Sequence, residues 1–120
     1  MWQPTDYTPP PLYRPGDVKR RLDAGEVAVL DVREPDEWDE GHIPGAHWIP
    51  LGELEDRFAE LDPGQEWVCV CHLGQRSAMA AELLQQEGLR AANLAGGMAA
   101  WEQQALPIET GRGTPPAAHP

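Results

Sequence analysis

The chain has 120 residues, room for one domain around one hydrophobic core, which sets aside a two-domain enzyme. Its 41% hydrophobic content is ordinary for a globular protein, but 9 Lys and Arg against 20 Asp and Glu leave a formal net charge of -11. Such a field repels phosphate backbones and anionic lipid, so neither nucleic acid nor a membrane surface is expected as a partner.

The opening MWQPTDYTPPPLYRP lacks the basic start and apolar run of a signal peptide, and no segment approaches the ~18 apolar residues of a membrane span. A soluble cytoplasmic protein is the expectation. Pro4, Pro9, Pro10 and Pro11 crowd one end and Pro115, Pro116 and Pro120 the other. Residues 1–11 are therefore expected as a flexible proline-rich arm, 12–110 as the folded domain and 111–120 as a flexible tail.

In chain order, a strand is predicted at 12–14, a helix at 17–24, a strand at 27–32 and a short helix at 35–40 opened by Pro35, whose fixed φ suits a first turn. A strand at 46–50 follows. Leu51, Leu54, Phe58 and Leu61 then recur at helical spacing with acidic residues between them, predicting an amphipathic helix. A strand at 67–71, a helix at 78–87 ending at Gly88, a strand at 91–95 and a helix at 97–104 stopped before Pro107 complete the series.

Strands alternating with helices at this spacing predict an α/β fold with a parallel sheet covered on both faces, since parallel neighbours need a crossover. VAVLDV at 27–32 and WVCVC at 67–71 show no polar alternation, as expected of strands buried on both sides. In such sheets ligands bind beyond the carboxyl ends of the strands. Asp31 and Arg33 lie at one such end and Cys71 at another.

Cys69 and Cys71 lie two residues apart in one strand, where a mutual bridge would strain the backbone, so both are read as reduced thiols. Cys71 opens His72-Leu73-Gly74-Gln75-Arg76-Ser77, a short loop running into a helix. Such a junction aims backbone N–H groups at one point with the helix dipole behind them, which lowers a thiol pKa and yields a nucleophilic thiolate. Gly74 permits the tight turn, Arg76 can fix the loop or an anionic substrate, and Ser77 can cap the helix. Taken alone, Cys71 reads more readily as a small buried hydrophobe. The joint pattern C-x-x-G-x-R-S favours chemistry.

With these residues the chain resembles the rhodanese-like single-domain sulfurtransferases. CHLGQRS at 71–77 is similar to their persulfide-forming loop, LDVREPDEWDEGHIPGAHWIP at 30–50 to their first signature, and LAGGMAAW, with Gly96, Gly97, Met98 and Trp101, to their closing segment. The resemblance covers roughly 12–110 and implies five parallel strands with helices on both faces. It further implies that Cys71 accepts a sulfane sulfur from thiosulfate or a persulfide and passes it to a thiol, or to cyanide in an assay. A sulfur-carrier protein is a candidate partner; neither a cofactor nor a metal is expected. Cys71 is the implied nucleophile, and His72, Leu73, Gly74, Gln75, Arg76 and Ser77 the implied cradle. Related cysteine phosphatases place five residues between cysteine and arginine; here four intervene, a ring better sized for sulfur than for phosphate. The alternative from another class is a non-catalytic binding or regulatory module of the same fold.

Asp31 and Arg33 match the family's D-x-R and are implied to support the site; Asp31 capping the helix at Pro35, with Arg33 on the surface, is the simpler alternative. Some thiosulfate-handling members carry a basic residue four positions beyond that arginine, where this chain has Glu37, and Gln75 is uncharged. His42 is read mainly as fixing the turn before the strand at 46–50. His72 either raises the local potential or moves a proton, or else faces solvent. Cys69 is read as core, and the tryptophans at 38, 48, 67 and 101 as core or rim.

Overall fold

The computed structural model describes residues 8–111. Five strands form one parallel sheet: β1 (Leu12–Tyr13), β2 (Ala28–Asp31), β3 (His47–Trp48), β4 (Glu66–Val70) and β5 (Arg90–Leu94), in the spatial order β1-β5-β4-β2-β3. The connections carry α1 (Pro15–Asp23), α2 (Pro35–Glu40), α3 (Leu51–Arg57) and α4 (Gln75–Gln86), and α5 (Gly97–Gln103) follows β5.

The absence of polar alternation in the central strands has a direct cause. Alternate residues of β4 feed two cores, Val68 and Val70 into one, Trp67 and Cys69 into the other. The core holding Trp67 is closed by Leu54 of α3 and by Ala80 and Leu84 of α4. The opposite core is closed by Val18 of α1, Trp38 of α2, and Met98 and Trp101 of α5. Helices thus cover both faces. Both edge strands are two residues long, which leaves little open ladder for a foreign strand.

Several boundaries differ from the sequence reading. The edge strand expected at 46–50 contracts to His47–Trp48, ending before Pro50, which has no N–H to pair. The helix expected through Leu61 stops as α-helix at Arg57 and tightens into a 3₁₀ turn, Phe58–Glu60, ahead of Asp62-Pro63; Leu54 and Leu61 still face the core. The helix expected from 78 begins at Gln75.

Of the expected arm, the Pro11 carbonyl already accepts the Asn93 N–H at 2.8 Å, so pairing with β5 starts before β1. Residues 1–7 of the arm and 112–120 of the tail lie outside the described residues. Near the other end, His42 and Glu109 exchange two backbone hydrogen bonds of 2.8 Å, and the Trp101 indole donates to the Pro107 carbonyl. No helix among the described residues is long and apolar enough to cross a membrane.

Candidate active site

The carboxyl ends of β2, β4 and β5 lie side by side, and Cys71 follows β4 directly, 1% exposed. Turning the chain from strand to helix within four residues requires an unusual backbone at Gly74, with φ +112° and ψ -4°, a region that side-chain-bearing residues avoid. The turn brings the Gly74 N–H to 3.0 Å from Cys71 Sγ. Burial pushes the Cys71 thiol up, but the Ser77 hydroxyl and the N–H groups of Ser77, Gly74 and Leu73 outweigh it, and the net displacement is downward. Its neighbour Cys69 lacks such donors, and burial raises its pKa strongly. Two thiols two residues apart are thereby made unequal.

Ser77 does not cap α4, contrary to expectation. With the helix starting at Gln75, the cap position falls to Gly74 and Ser77 sits inside the first turn, fully buried. Its Oγ lies 3.2 Å from Cys71 Sγ and 2.6 Å from Asn93 Oδ1. Asn93 Nδ2 in turn donates to the Gly74 carbonyl at 2.9 Å, which fixes the amide so that Oδ1 faces Ser77. A hydroxyl has one proton. It can serve Asn93 Oδ1 or Cys71 Sγ, and a thiolate competes for it more strongly than a thiol.

The loop is also held from behind by α5. The N–H of Met98 donates to the Cys71 carbonyl at 2.8 Å and that of Ala99 to the His72 carbonyl at 3.0 Å. This approach requires Gly97: with φ +59°, a Cβ there would stand 2.4 Å from both the Cys71 and the His72 carbonyl oxygens. Gly97 of the closing segment thus makes room for the loop, while Gly96 caps α5 and packs on Ala100.

Asp31 ends β2, beside β4 in the sheet, and Arg33 follows it. Arg33 is not on the surface; it is 4% exposed, and its guanidinium meets the Asp31 carboxylate at 2.8–3.1 Å and donates to the Gly41 carbonyl at 2.7 Å. Asp31 does not cap α2. That task belongs to Glu34, in a reciprocal capping box with Glu37. Removing either member of the buried pair would strand the other charge, at a cost of roughly 3–5 kcal/mol. His42 is structural in its contacts: Nδ1 lies 2.8 Å from the Trp38 carbonyl and the ring stacks on Trp38 at 3.6 Å.

Arg76 is engaged by a carboxylate. Both of its terminal nitrogens donate to Glu37, each at 2.8 Å, joining α4 to α2 across the site. The pairing lowers Glu37 to about 2, despite some burial. A cleft of about 360 Å³ opens there, lined by Arg33, Glu37, Glu40, Gly41, His72 and Glu102. His72, next to the cysteine, is exposed and forms part of this wall. Leu73 is 59% exposed and Gln75 also faces outward. Among the described residues no group of three or more His, Cys, Asp or Glu side chains is placed to hold a metal ion.

The family model for the rhodanese-like domain matches residues 14–104, from the start of α1 to the end of α5. The chain belongs to this family. A rhodanese-related protein of Thermoplasma volcanium superposes on the domain with a TM-score of 0.78 at 31% identity, covering 82% of this chain and 97% of that one. A sulfurtransferase of Allochromatium vinosum is 36% identical over 91 residues, 75% of this chain and 85% of that protein. YrkF of Bacillus subtilis (strain 168), provisionally named a sulfur carrier protein, is 42% identical over 85 residues. That match spans 69% of this chain but only 46% of YrkF, so the rhodanese-like domain corresponds to about half of it.

Within this rhodanese-like domain two contributors escaped the sequence reading. Asn93 sits inside an apolar strand, and that polar interruption of RAANL was the available signal. The Glu37–Arg76 pair joins residues 39 apart, and nothing local marks it.

Proposed function

We propose that this rhodanese-like domain is a sulfurtransferase working through a persulfide on Cys71. The observation that carries the reading is the ring of donors on a single thiol: N–H groups from Leu73, Gly74 and Ser77 and the Ser77 hydroxyl all favour the anionic sulfur. The same donors suit the terminal sulfur of a persulfide anion, which carries its charge one bond further out, as an oxyanion hole suits developing charge on oxygen. A thiol only 1% exposed at the base of a loop favours electrophiles that present a terminal sulfur end-on.

In the first half-reaction the Cys71 thiolate attacks the outer sulfur of the donor. A new S–S bond forms, the donor's S–S bond breaks, and its electron pair leaves with sulfite or with a thiolate. In the second, a thiolate or cyanide attacks the outer sulfur of the persulfide and Cys71 departs as thiolate, ready for the next cycle. The donor is thiosulfate or a persulfide. The natural acceptor is a thiol, with a sulfur-carrier protein as a candidate.

Mass spectrometry of the full chain after exposure to thiosulfate or polysulfide tests this. An adduct of about 32 Da on Cys71, removed by cyanide or a thiol, is the expected result. Cys71→Ser abolishes both adduct and turnover while keeping the melting temperature, since a hydroxyl is nearly isosteric but far less nucleophilic. No adduct from any donor would overturn the assignment in favour of a binding module, and undiminished turnover by Cys71→Ser would overturn Cys71 as the nucleophile.

A further inference from the structure

A loop built to hold an anionic sulfur stands beside a cleft that is unwelcoming to anions. Two arginines approach the site, and both are committed. Arg33 is bound by Asp31 and the Gly41 carbonyl, and Arg76 by both oxygens of Glu37. Three carboxylates, those of Glu37, Glu40 and Glu102, line the cleft, and among the described residues neither Glu40 nor Glu102 forms an ion pair. An anionic donor approaching the loop across this cleft, at His72, would therefore meet a neutralised guanidinium and two uncompensated negative charges.

We infer that Glu37 is a specificity-determining residue, which by holding Arg76 selects alkyl persulfides over dianionic donors such as thiosulfate. The inference rests on the sulfur-transfer reading and refines it. Glu37 acts in two ways. Its bidentate grip occupies the planar face of Arg76 that would otherwise hold two oxygens of a sulfonate-like group. Its charge also cancels that of Arg76, so the positive end of the site is reduced to the N–H groups around the sulfur. An alkyl persulfide needs no more than that. It presents a terminal sulfur, carries at most one negative charge, and releases a thiolate when Cys71 takes the outer sulfur; the new S–S bond replaces the old one with no net oxidation. Thiosulfate undergoes the same exchange with sulfite leaving, but brings two negative charges into the cleft.

The pairing has a geometric safeguard that makes it testable. Glu37 Oε1 also accepts the Glu34 N–H at 3.0 Å, closing the capping box of α2. Glutamine keeps that acceptor while removing the charge, so Glu37→Gln leaves the helix start in place.

The experiment measures kcat/KM for thiosulfate and for 2-hydroxyethyl persulfide with the full chain as wild type, Glu37→Gln, and Glu37→Gln combined with Arg76→Ala. In Glu37→Gln the thiosulfate-to-persulfide ratio rises about tenfold, chiefly through a lower thiosulfate KM, because a freed guanidinium binds the sulfonate end in the ground state. In the double variant the ratio returns to the wild-type value. An unchanged or lower ratio in Glu37→Gln overturns the inference. So does an equal rise in the double variant, since Glu37 would then not be acting through Arg76. A Cys71 persulfide detected in wild type alongside either of these outcomes leaves the sulfurtransferase reading standing and removes only the specificity claim. No adduct from either donor in any of the three proteins removes both.

Discussion

The Ser77 hydroxyl is one of the groups that favour the thiolate form of Cys71. The hydroxyl lies between a sulfur that must lose its proton and an amide oxygen that wants one, 3.2 and 2.6 Å away. Removing it deletes a hydrogen bond to the thiolate, while the three N–H donors remain. Ser77→Ala should move the alkaline limb of Cys71 alkylation upward by roughly one pH unit, the size expected for one hydrogen bond to a charged group. Rates of iodoacetamide reaction from pH 5 to 10 read this directly, and an unmoved limb would strip Ser77 of its role. The sequence located Ser77 in the loop but misread its task. Serine before a run of helix formers is usually a cap, and only the early start of α4 at Gln75, set by the Gly74 turn, moves it inside the helix. Asn93 was hidden for a different reason. Its partners, the Gly74 carbonyl and Ser77, are 19 and 16 residues away in sequence, beyond the reach of any local pattern.

Elements were more legible than contacts. The helix Pro35–Glu40 coincides with its reading from sequence, because proline at the first turn is a backbone signal that needs no tertiary partner. The β2 and β4 runs were equally plain, since burial on both faces leaves a continuous apolar string. Edge strands and the start of α4 were less so, being fixed by neighbours. The packing of α5 against the cysteine loop was invisible in the same way, yet it exposes a sharp dependence on one residue. Gly97→Ala places a methyl 2.4 Å from two carbonyl oxygens and strains a backbone at φ +59°. We expect a loss of roughly 1–3 kcal/mol, or more if the helix withdraws. The melting temperature falls and the Cys71 persulfide yield falls with it, whereas alanine at the exposed Gly16, whose Cβ would meet nothing within 4 Å, is tolerated. Equal tolerance at both positions would refute the clamp.

Across the whole molecule, the formal charge of -11 sets the field in which any donor must move. The helix start behind Cys71 is a local focus of positive potential inside a repelling envelope. Raising salt from 0.01 to 0.15 M shortens the screening length from about 30 to about 8 Å, which weakens the envelope more than the contact-range focus. Thiosulfate kcat/KM should therefore rise over this interval, while that of an alkyl persulfide changes less. A steady fall for thiosulfate would mean that attraction at the site governs encounter. Composition alone foretold repulsion of anions; it could not foretell that the carboxylates at 37, 40 and 102 gather at one cleft, because they arrive from α2 and α5, at opposite ends of the fold's sequence.

The clamp on the cysteine loop also has a direction in time. Among the described residues, the side-chain and loop hydrogen bonds that reach residues 71–74 from outside the loop and its own helix include those of Asn93, Met98 and Ala99, all further down the chain. A chain growing from its amino end exposes Cys71 before any of these residues exists. The donors to the sulfur lie within residues 73–77, but the bonds that hold the loop's backbone from α5 join the structure last.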